Sequence, residues 1–338
     1  MATVSMPSSV TTQKKKIIWF WQLNSNSCDP KQLEKWKCYS DFENAFIENA
    51  FRKKEKEVQL NDYVINFDLK MQCNKEDINR QIPVKREEVD LSSVVRAERF
   101  SYPESAVMKS FETEWILDIG MEWQETNKHI ETEFEVIAEI AAQGILEEGK
   151  LLNQEFDAQC IAHQLRTHGS DMLQLVLYIV RLHSAESFLY KLVNSTLTNN
   201  DRSKLDTLGP YCHLLNSNLL LGLLKPVQDS IVYRGTTLTD AMVEEYKQAV
   251  GKKINWRSFI STTKDRKIAE EFGNTLFIIR VGTGAHQFAS DISRLSYYPN
   301  EQEVLFTAGH GFDVVKVDFD TESQKYIIHM NSSCEIVE

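Results

Sequence analysis

The first patterned stretch of the chain is Lys16-Ile17-Ile18-Trp19-Phe20-Trp21-Gln22-Leu23, an aromatic and β-branched run that predicts a strand. Residues 24–30 cluster Asn, Ser, Asp and Pro and read as a turn. Trp36-Lys37-Cys38-Tyr39 predicts a second short strand, and Ser40 with Asp41 then offers a cap for a helix carrying Phe42, Phe46, Ile47 and Phe51 at helical spacing. Residues 63–69 alternate as a strand that residues 70–73 extend, and residues 82–86 close a small α+β module.

From residue 91 to about residue 169 the pattern turns helical. Phe111, Trp115, Ile119 and Trp123 fall four apart, and Ile130, Phe134, Ile137, Ile140 and Ala141 continue at helical spacings. Helices are also expected over residues 172–182, 188–193 and 205–224, the last closed by Lys225-Pro226. Short β runs come next at 230–235, 259–263, 276–281, 303–306, 313–317 and 326–330, with one helix at 266–272. Helices first and strands later predict an α+β class, not alternating βαβ units. The chain divides into a module at 14–88, a helical connector at 89–169 and a last domain at 170–338, with the later connector helices packing on that last domain.

Composition narrows the classes. With 338 residues, 42% apolar and 26% charged, the chain suits two globular domains and excludes a disordered one. No apolar run approaches the ~20 residues of a membrane span. The Ser/Thr-rich start ending in Lys14-Lys15-Lys16 has no apolar stretch behind it, so no secretory signal is expected. Six scattered cysteines then read as free thiols in a reducing compartment, and an intracellular location, cytoplasmic or nuclear, is expected. Residues 1–90 carry 15 Lys/Arg against 14 Asp/Glu, while the remainder carries 23 against 35. The acidic remainder argues against sequence-specific nucleic-acid binding.

Metal ligation is not expected either. Cys160, His163 and His168 lie near one another but match no ligand spacing, and there is no His-Glu-x-x-His. Gly282-x-Gly284 opens no helix and so makes no phosphate loop.

The informative residues are Arg234, Ser261 and Glu303, each on a predicted strand or at its end. An arginine within an apolar strand is costly to bury without an anion. Glu301-Gln302-Glu303 alternates, which as a strand puts both carboxylates on one face, suited to a cation or a developing oxocarbenium ion. Taken in order, Val232-Tyr233-Arg234-Gly235, Ser258-Phe259-Ile260-Ser261-Thr262-Thr263 and Asn300-Glu301-Gln302-Glu303-Val304-Leu305-Phe306 resemble the arginine–serine–glutamate class of mono-ADP-ribosyltransferases. Ala269-Glu270-Glu271-Phe272-Gly273 and Asp291-Ile292-Ser293 fit the same family. One departure is Thr263, where the family has a second serine.

The resemblance implies a fold of two crossed small β-sheets with flanking helices, NAD as substrate and no metal. It implies that Arg234 holds the phosphates of NAD, that the Gly235 backbone approaches the nicotinamide amide, and that Ser261, with Thr262 beside it, holds the nicotinamide ribose. Phe272 matches the aromatic near the nicotinamide. Glu303 would bond the ribose 2′-hydroxyl and stabilise the oxocarbenium ion, and Glu301 would receive a protein arginine as acceptor. Transfer of ADP-ribose to arginine with release of nicotinamide is thus expected. Hydrolysis of NAD and a non-catalytic ADP-ribose reader or scaffold are the alternatives.

The first module resembles the WWE domain through Trp19-Phe20-Trp21-Gln22, Trp36, Tyr39-Ser40-Asp41, Glu48, Tyr63, Gln72 and Pro83-Val84-Lys85-Arg86. Some members bind the iso-ADP-ribose unit of poly(ADP-ribose) and others pair with proteins. The resemblance assigns such a site to Tyr39, Tyr63 and Gln72, with Arg80 or Arg86 on the phosphates, and makes poly(ADP-ribose) or an ADP-ribosylated protein the expected partner.

Overall fold

The computed structural model describes residues 15–23, 35–77, 79–90, 96, 111–114, 117–130, 133–220, 224–227, 230–282 and 288–332. The expected turn at 24–30, Trp115, residues 221–223 of the helix expected to reach 224, and Gly284 lie outside these residues; the described helix ends at Leu220, and Leu224 is not helical. The chain divides into two compact units, Met1–Val95 and Arg96–Glu338.

In the first unit the strands are β1 (Lys15–Gln22), β2 (Trp36–Cys38), β3 (Glu57–Gln59), β4 (Tyr63–Asn66), β5 (Met71–Asn74) and β6 (Gln81–Asp90). They form one antiparallel sheet in the order β2-β1-β6-β5-β4-β3. The helix Asp41–Arg52 packs on it with Ile47 fully buried, and Ser40 closes a capping box with Glu43 at its start. β2 pairs only with Phe20–Gln22 of β1, so Ile17 and Trp19 need another partner along that edge. Asn44 supplies it: its amide donates to the Ile17 carbonyl at 3.0 Å and its oxygen accepts from the Trp19 amide at 2.7 Å.

Two sequence expectations are corrected here. The strand expected to run through residues 63–73 is a hairpin of β4 and β5. The Asn66 side chain accepts from the Leu69 amide, and Lys70 takes φ 54°, which turns the chain although the apolar alternation carries on. Phe42 and Ile47 are buried as the spacing predicts, but Phe46 and Phe51 are 42% and 40% exposed.

The second unit begins with helices Ile119–Thr126, Phe134–Leu151, Glu155–His168, Met172–Ser184, Phe188–Asn199 and Leu205–Leu220. The spacing of Phe111, Trp115, Ile119 and Trp123 does not give one helix. Glu112 pairs with Asn255 in extended conformation, and the helix starts only at Ile119, where Asp118 accepts from the Gly120 and Met121 amides. The helices Phe134–Leu151 and Leu205–Leu220 approach so closely that a Cβ on Gly144 would sit 2.0 Å from the Thr207 carbonyl oxygen. Glycine is required there by contact.

The strands of this unit are β7 (Lys225–Pro226), β8 (Ser230–Thr236), β9 (Lys253–Asn255), β10 (Ile260–Thr263), β11 (Thr275–Val281), β12 (Ala289–Asp291), β13 (Glu303–Phe306), β14 (Gly311–Asp320) and β15 (Lys325–Ser332). Their order is β7-β12-β13-β10-β8-β11-β15-β14-β9, with only β11 and β15 parallel. β10 and β8 share a single residue pair, Thr263 with Tyr233, so a four-stranded and a five-stranded sheet meet at that point. Val232, Ile279, Phe306, Phe312 and Ile328 lie in the core that both sheets share. The meeting point is where the expected chemistry lies.

Candidate functional site

β8 alternates so that Val232 and Arg234 face inward, which leaves a guanidinium 6% exposed within an apolar strand. Its Nη1 donates to the Ser261 carbonyl at 2.7 Å, across the junction of the two sheets. Arg234 and Ser261 are therefore brought together. Ser261, Thr262 and Thr263 are all buried. The Thr262 hydroxyl donates to the Val304 carbonyl at 2.8 Å, which commits it to the neighbouring strand.

Gly235 has a contact reason of its own: a Cβ would lie 1.9 Å from the Ala269 carbonyl oxygen and 2.9 Å from Phe272 Cβ. The absence of a side chain thus lets the helix Arg266–Glu270 sit on β8. The same contact places Phe272, 7% exposed, beside Gly235.

The two glutamates converge by a route the alternation did not predict. Glu301 ends a single 3₁₀ turn, Pro299–Glu301, and Gln302 takes φ 46° before Glu303 opens β13. Both carboxylates are buried, at 1% and 0% exposure, while Gln302 points out. β10 holds this turn: the Thr263 hydroxyl donates to the Glu301 carbonyl at 2.6 Å, and the Lys264 amide donates to the Gln302 carbonyl. The hydroxyl retained at Thr263 therefore has a defined task. Asp291 fixes the other side of the loop, accepting from the Lys264 ammonium and from the Ser293 amide and hydroxyl. Burial alone would raise the Asp291 pKa, yet these bonds hold it below the usual carboxylate range.

A residue that sequence reasoning missed completes the cluster. Arg96, 5% exposed at its side chain, makes a two-pronged ion pair with Glu301: Nε donates to Oε1 at 2.9 Å and Nη2 donates to Oε2. Nη2 is also 3.9 Å from Glu303 Oε2. Nη1 donates to the Ser184 carbonyl, and the guanidinium lies 3.8 Å from the centre of the Tyr298 ring. Burial would lower the Arg96 pKa, but Glu301 outweighs it and holds the group firmly charged. Ser184 closes the helix Met172–Ser184, and its hydroxyl accepts from the Tyr297 amide, tying that helix to the Tyr298 turn.

In the first unit, Tyr39 and Tyr63 have ring centres 6.0 Å apart, and the Tyr39 hydroxyl donates to Gln72 Oε1 at 2.6 Å. The Tyr63 hydroxyl donates to Glu43. Burial, with Glu43 nearby, raises the Tyr39 pKa. These three expected residues are brought together. Arg86 instead pairs with Glu48 at 2.8 Å, and Arg80 is exposed in the turn before β6. Glu48 also accepts from the Trp19 indole and from Arg52. Against the effect of burial, those donors bring Glu48 down to about 2. His168 stacks on Tyr178 at 3.6 Å, and among the described residues no three His, Cys, Asp or Glu gather as metal ligands.

Comparison with known proteins agrees with both units. Residues 188–333 match the family described as ADP-ribosyltransferase exoenzyme, and residues 17–86 match the WWE domain. A Mycobacterium avium (strain 104) protein, Mav, named for NAD(+)–arginine ADP-ribosyltransferase activity, is 38% identical over 108 residues, 31% of this chain and 12% of its own length. The NAD(P)(+)–arginine ADP-ribosyltransferase 1 of Gallus gallus is 26% identical over 166 residues, 46% of this chain and 50% of its own. The chain thus spans half or less of the length of these relatives. Among solved structures, the type III effector XopAI of Xanthomonas axonopodis pv. citri covers 66% of this chain and 96% of its own, at 14% identity and TM-score 0.46. C3stau2 of S. aureus, solved with NAD, covers 47% and 87%, at 17% identity and TM-score 0.39. The chain carries one domain of each matched family: a WWE domain and an ADP-ribosyltransferase exoenzyme domain.

Proposed function

We propose that the second unit transfers ADP-ribose from NAD to arginine side chains of proteins and releases nicotinamide. The observation that carries this reading is a buried guanidinium held by Glu301 with Glu303 beside it, at the meeting point of the two sheets. A pair of carboxylates that already holds one guanidinium has the charge to hold another.

The chain's own residues divide the work. Arg234 brings a buried cation to the junction and would hold the phosphates of NAD, and Ser261 would hold the nicotinamide ribose. Glu303, fully buried, places negative charge where the ribosyl cation develops as nicotinamide leaves. Glu301 binds the acceptor guanidinium and takes its proton as the nitrogen attacks. The buried setting strengthens each of these interactions relative to water. For the first unit, we propose that Tyr39, Tyr63 and Gln72 bind an ADP-ribose-containing ligand, which would bring the transferase to ADP-ribosylated proteins. An intracellular location is part of the same proposal, on the sequence reading of scattered cysteines alone.

The direct test is to incubate the purified chain with NAD and agmatine, a small guanidine. ADP-ribosylagmatine is expected, with at least an equal amount of nicotinamide released. Release of free ADP-ribose alone would make the chain a hydrolase, and no consumption of NAD would sink the reading.

A further inference from the structure

The guanidinium bound between the two glutamates belongs to the chain itself. Arg96 lies 205 residues before Glu301 and enters the same compact unit, where its partners are Glu301, Glu303, the Ser184 carbonyl and the Tyr298 ring. Every one of these groups suits an acceptor arginine. Tyr298 gives a face to the planar cation, Ser184 fixes one terminal nitrogen, and Glu301 takes the opposite edge in a fork.

The identity of the nitrogens matters. Nη1 is turned to Ser184, and Nε is tied to Glu301 Oε1. Nη2 is the nitrogen that reaches both carboxylates: bonded to Glu301 Oε2 and 3.9 Å from Glu303 Oε2. It sits between the group that would accept a proton and the group that would stabilise the ribosyl cation. A purely structural ion pair has no need to span both. An arginine held there is a nucleophile at very high effective concentration toward any NAD that binds.

We propose that Arg96 is an acceptor of the chain's own transferase activity, ADP-ribosylated in cis on Nη2. The inference rests on the transfer reading above. In the step, the bond between the ribose C1″ and the nicotinamide nitrogen breaks, and its electron pair leaves with nicotinamide. A bond forms between Nη2 and C1″, and one proton passes from Nη2 to Glu301 and on to water. No other reactant is required.

The experiment uses the full chain incubated with NAD alone, followed by intact mass measurement and peptide mapping. The expected result is one ADP-ribose per chain, located on Arg96, released by neutral hydroxylamine, and formed at a first-order rate that does not change on dilution. Arg96→Lys keeps a cation against the two carboxylates but removes the guanidine, and the single label should vanish from it. If that variant does not fold, the map of the unaltered chain still decides. Modification of agmatine while Arg96 stays unlabelled would overturn the proposal and leave the transfer reading intact. Label spread over other arginines, at a rate rising with chain concentration, would overturn it as well. No reaction with either acceptor would remove both.

Discussion

The hydroxyl of Thr263 donates to the backbone carbonyl of Glu301 at 2.6 Å, joining the end of β10 to the turn that carries the Glu301 carboxylate. The same oxygen accepts from the Asp265 amide at 3.0 Å, so one buried side chain satisfies two backbone groups. Thr263→Val keeps the shape and removes both bonds. Leaving a buried carbonyl without its donor costs about 1–3 kcal/mol. The expected outcome is a lowered melting temperature together with reduced agmatine turnover. Thr263→Ser should stay close to the unaltered chain in both, and loss in Thr263→Ser with none in Thr263→Val would show that packing, not the hydroxyl, matters there.

Glu303 and Glu301 should separate in kinetics although they sit side by side. If Glu303 faces the ribosyl cation as proposed, Glu303→Gln should lower both transfer and hydrolysis of NAD by ~10²–10³. Glu301→Gln should suppress transfer to agmatine while NAD hydrolysis persists, because water needs no guanidinium site. Glu301→Gln also weakens the hold on Arg96, so its melting temperature must be measured beside its rates. Equal loss of both activities in a folded Glu301→Gln would contradict the division of roles.

Much of this site is legible in the sequence, and the reasons are local. Strand residues around Arg234 and Ser261 are β-branched and apolar, so their periodicity marks β8 and β10. The motif residues themselves are what suggest the chemistry. What escapes is what no local pattern encodes. Alternation at Glu301-Gln302-Glu303 suggests a strand, yet Pro299 starts a turn and Gln302 adopts a left-handed conformation, so the carboxylates converge through backbone reversal. The fourfold spacing from Phe111 to Trp123 suggests one helix, but extended pairing of Glu112 with Asn255 outweighs helix propensity. Arg96 gives no signal at all, because its role arises only from a contact across 205 residues.

Glu48 ties together the first unit, and this makes part of its stability sensitive to acid. Trp19, Arg52 and Arg86 all donate to its carboxylate, which lies at about 2 in the folded state. A depressed carboxylate pKa contributes stability that is present above the unfolded value and is lost as pH falls through the folded value. The contribution of Glu48 should therefore fade from about pH 4.5 downward to about pH 2. Hydrogen exchange at β1 and at the helix Asp41–Arg52, followed over that range, should show protection falling. Glu48→Gln should show weaker protection already at neutral pH and a flatter dependence below pH 4.5. An identical acid profile in the variant would remove Glu48 as the cause.

The last prediction concerns the aromatic pair of the WWE domain. Tyr39 is buried and its hydroxyl is committed to Gln72, whereas Tyr63 is half-buried with its hydroxyl on Glu43. Tyr39 therefore also contributes to the fold, and replacing it would confuse loss of structure with loss of binding. Tyr63→Ala combined with Gln72→Ala is the better test, since both side chains are only partly buried, and because Gln72 holds the Tyr39 hydroxyl the variant's melting temperature is measured beside its binding. If these residues read an adenine and ribose, calorimetric titration of the full chain with iso-ADP-ribose should give binding that the double variant weakens by more than tenfold, a loss of ~1.4 kcal/mol or more. Agmatine turnover should be unaffected, because Arg234, Ser261 and Glu303 lie in the other unit. Arg86 is bound to Glu48, so Arg86→Ala should act chiefly through lost stability of the domain. Unaltered iso-ADP-ribose affinity in the double variant, or no heat from the unaltered chain, would leave the first unit as a module that pairs with proteins.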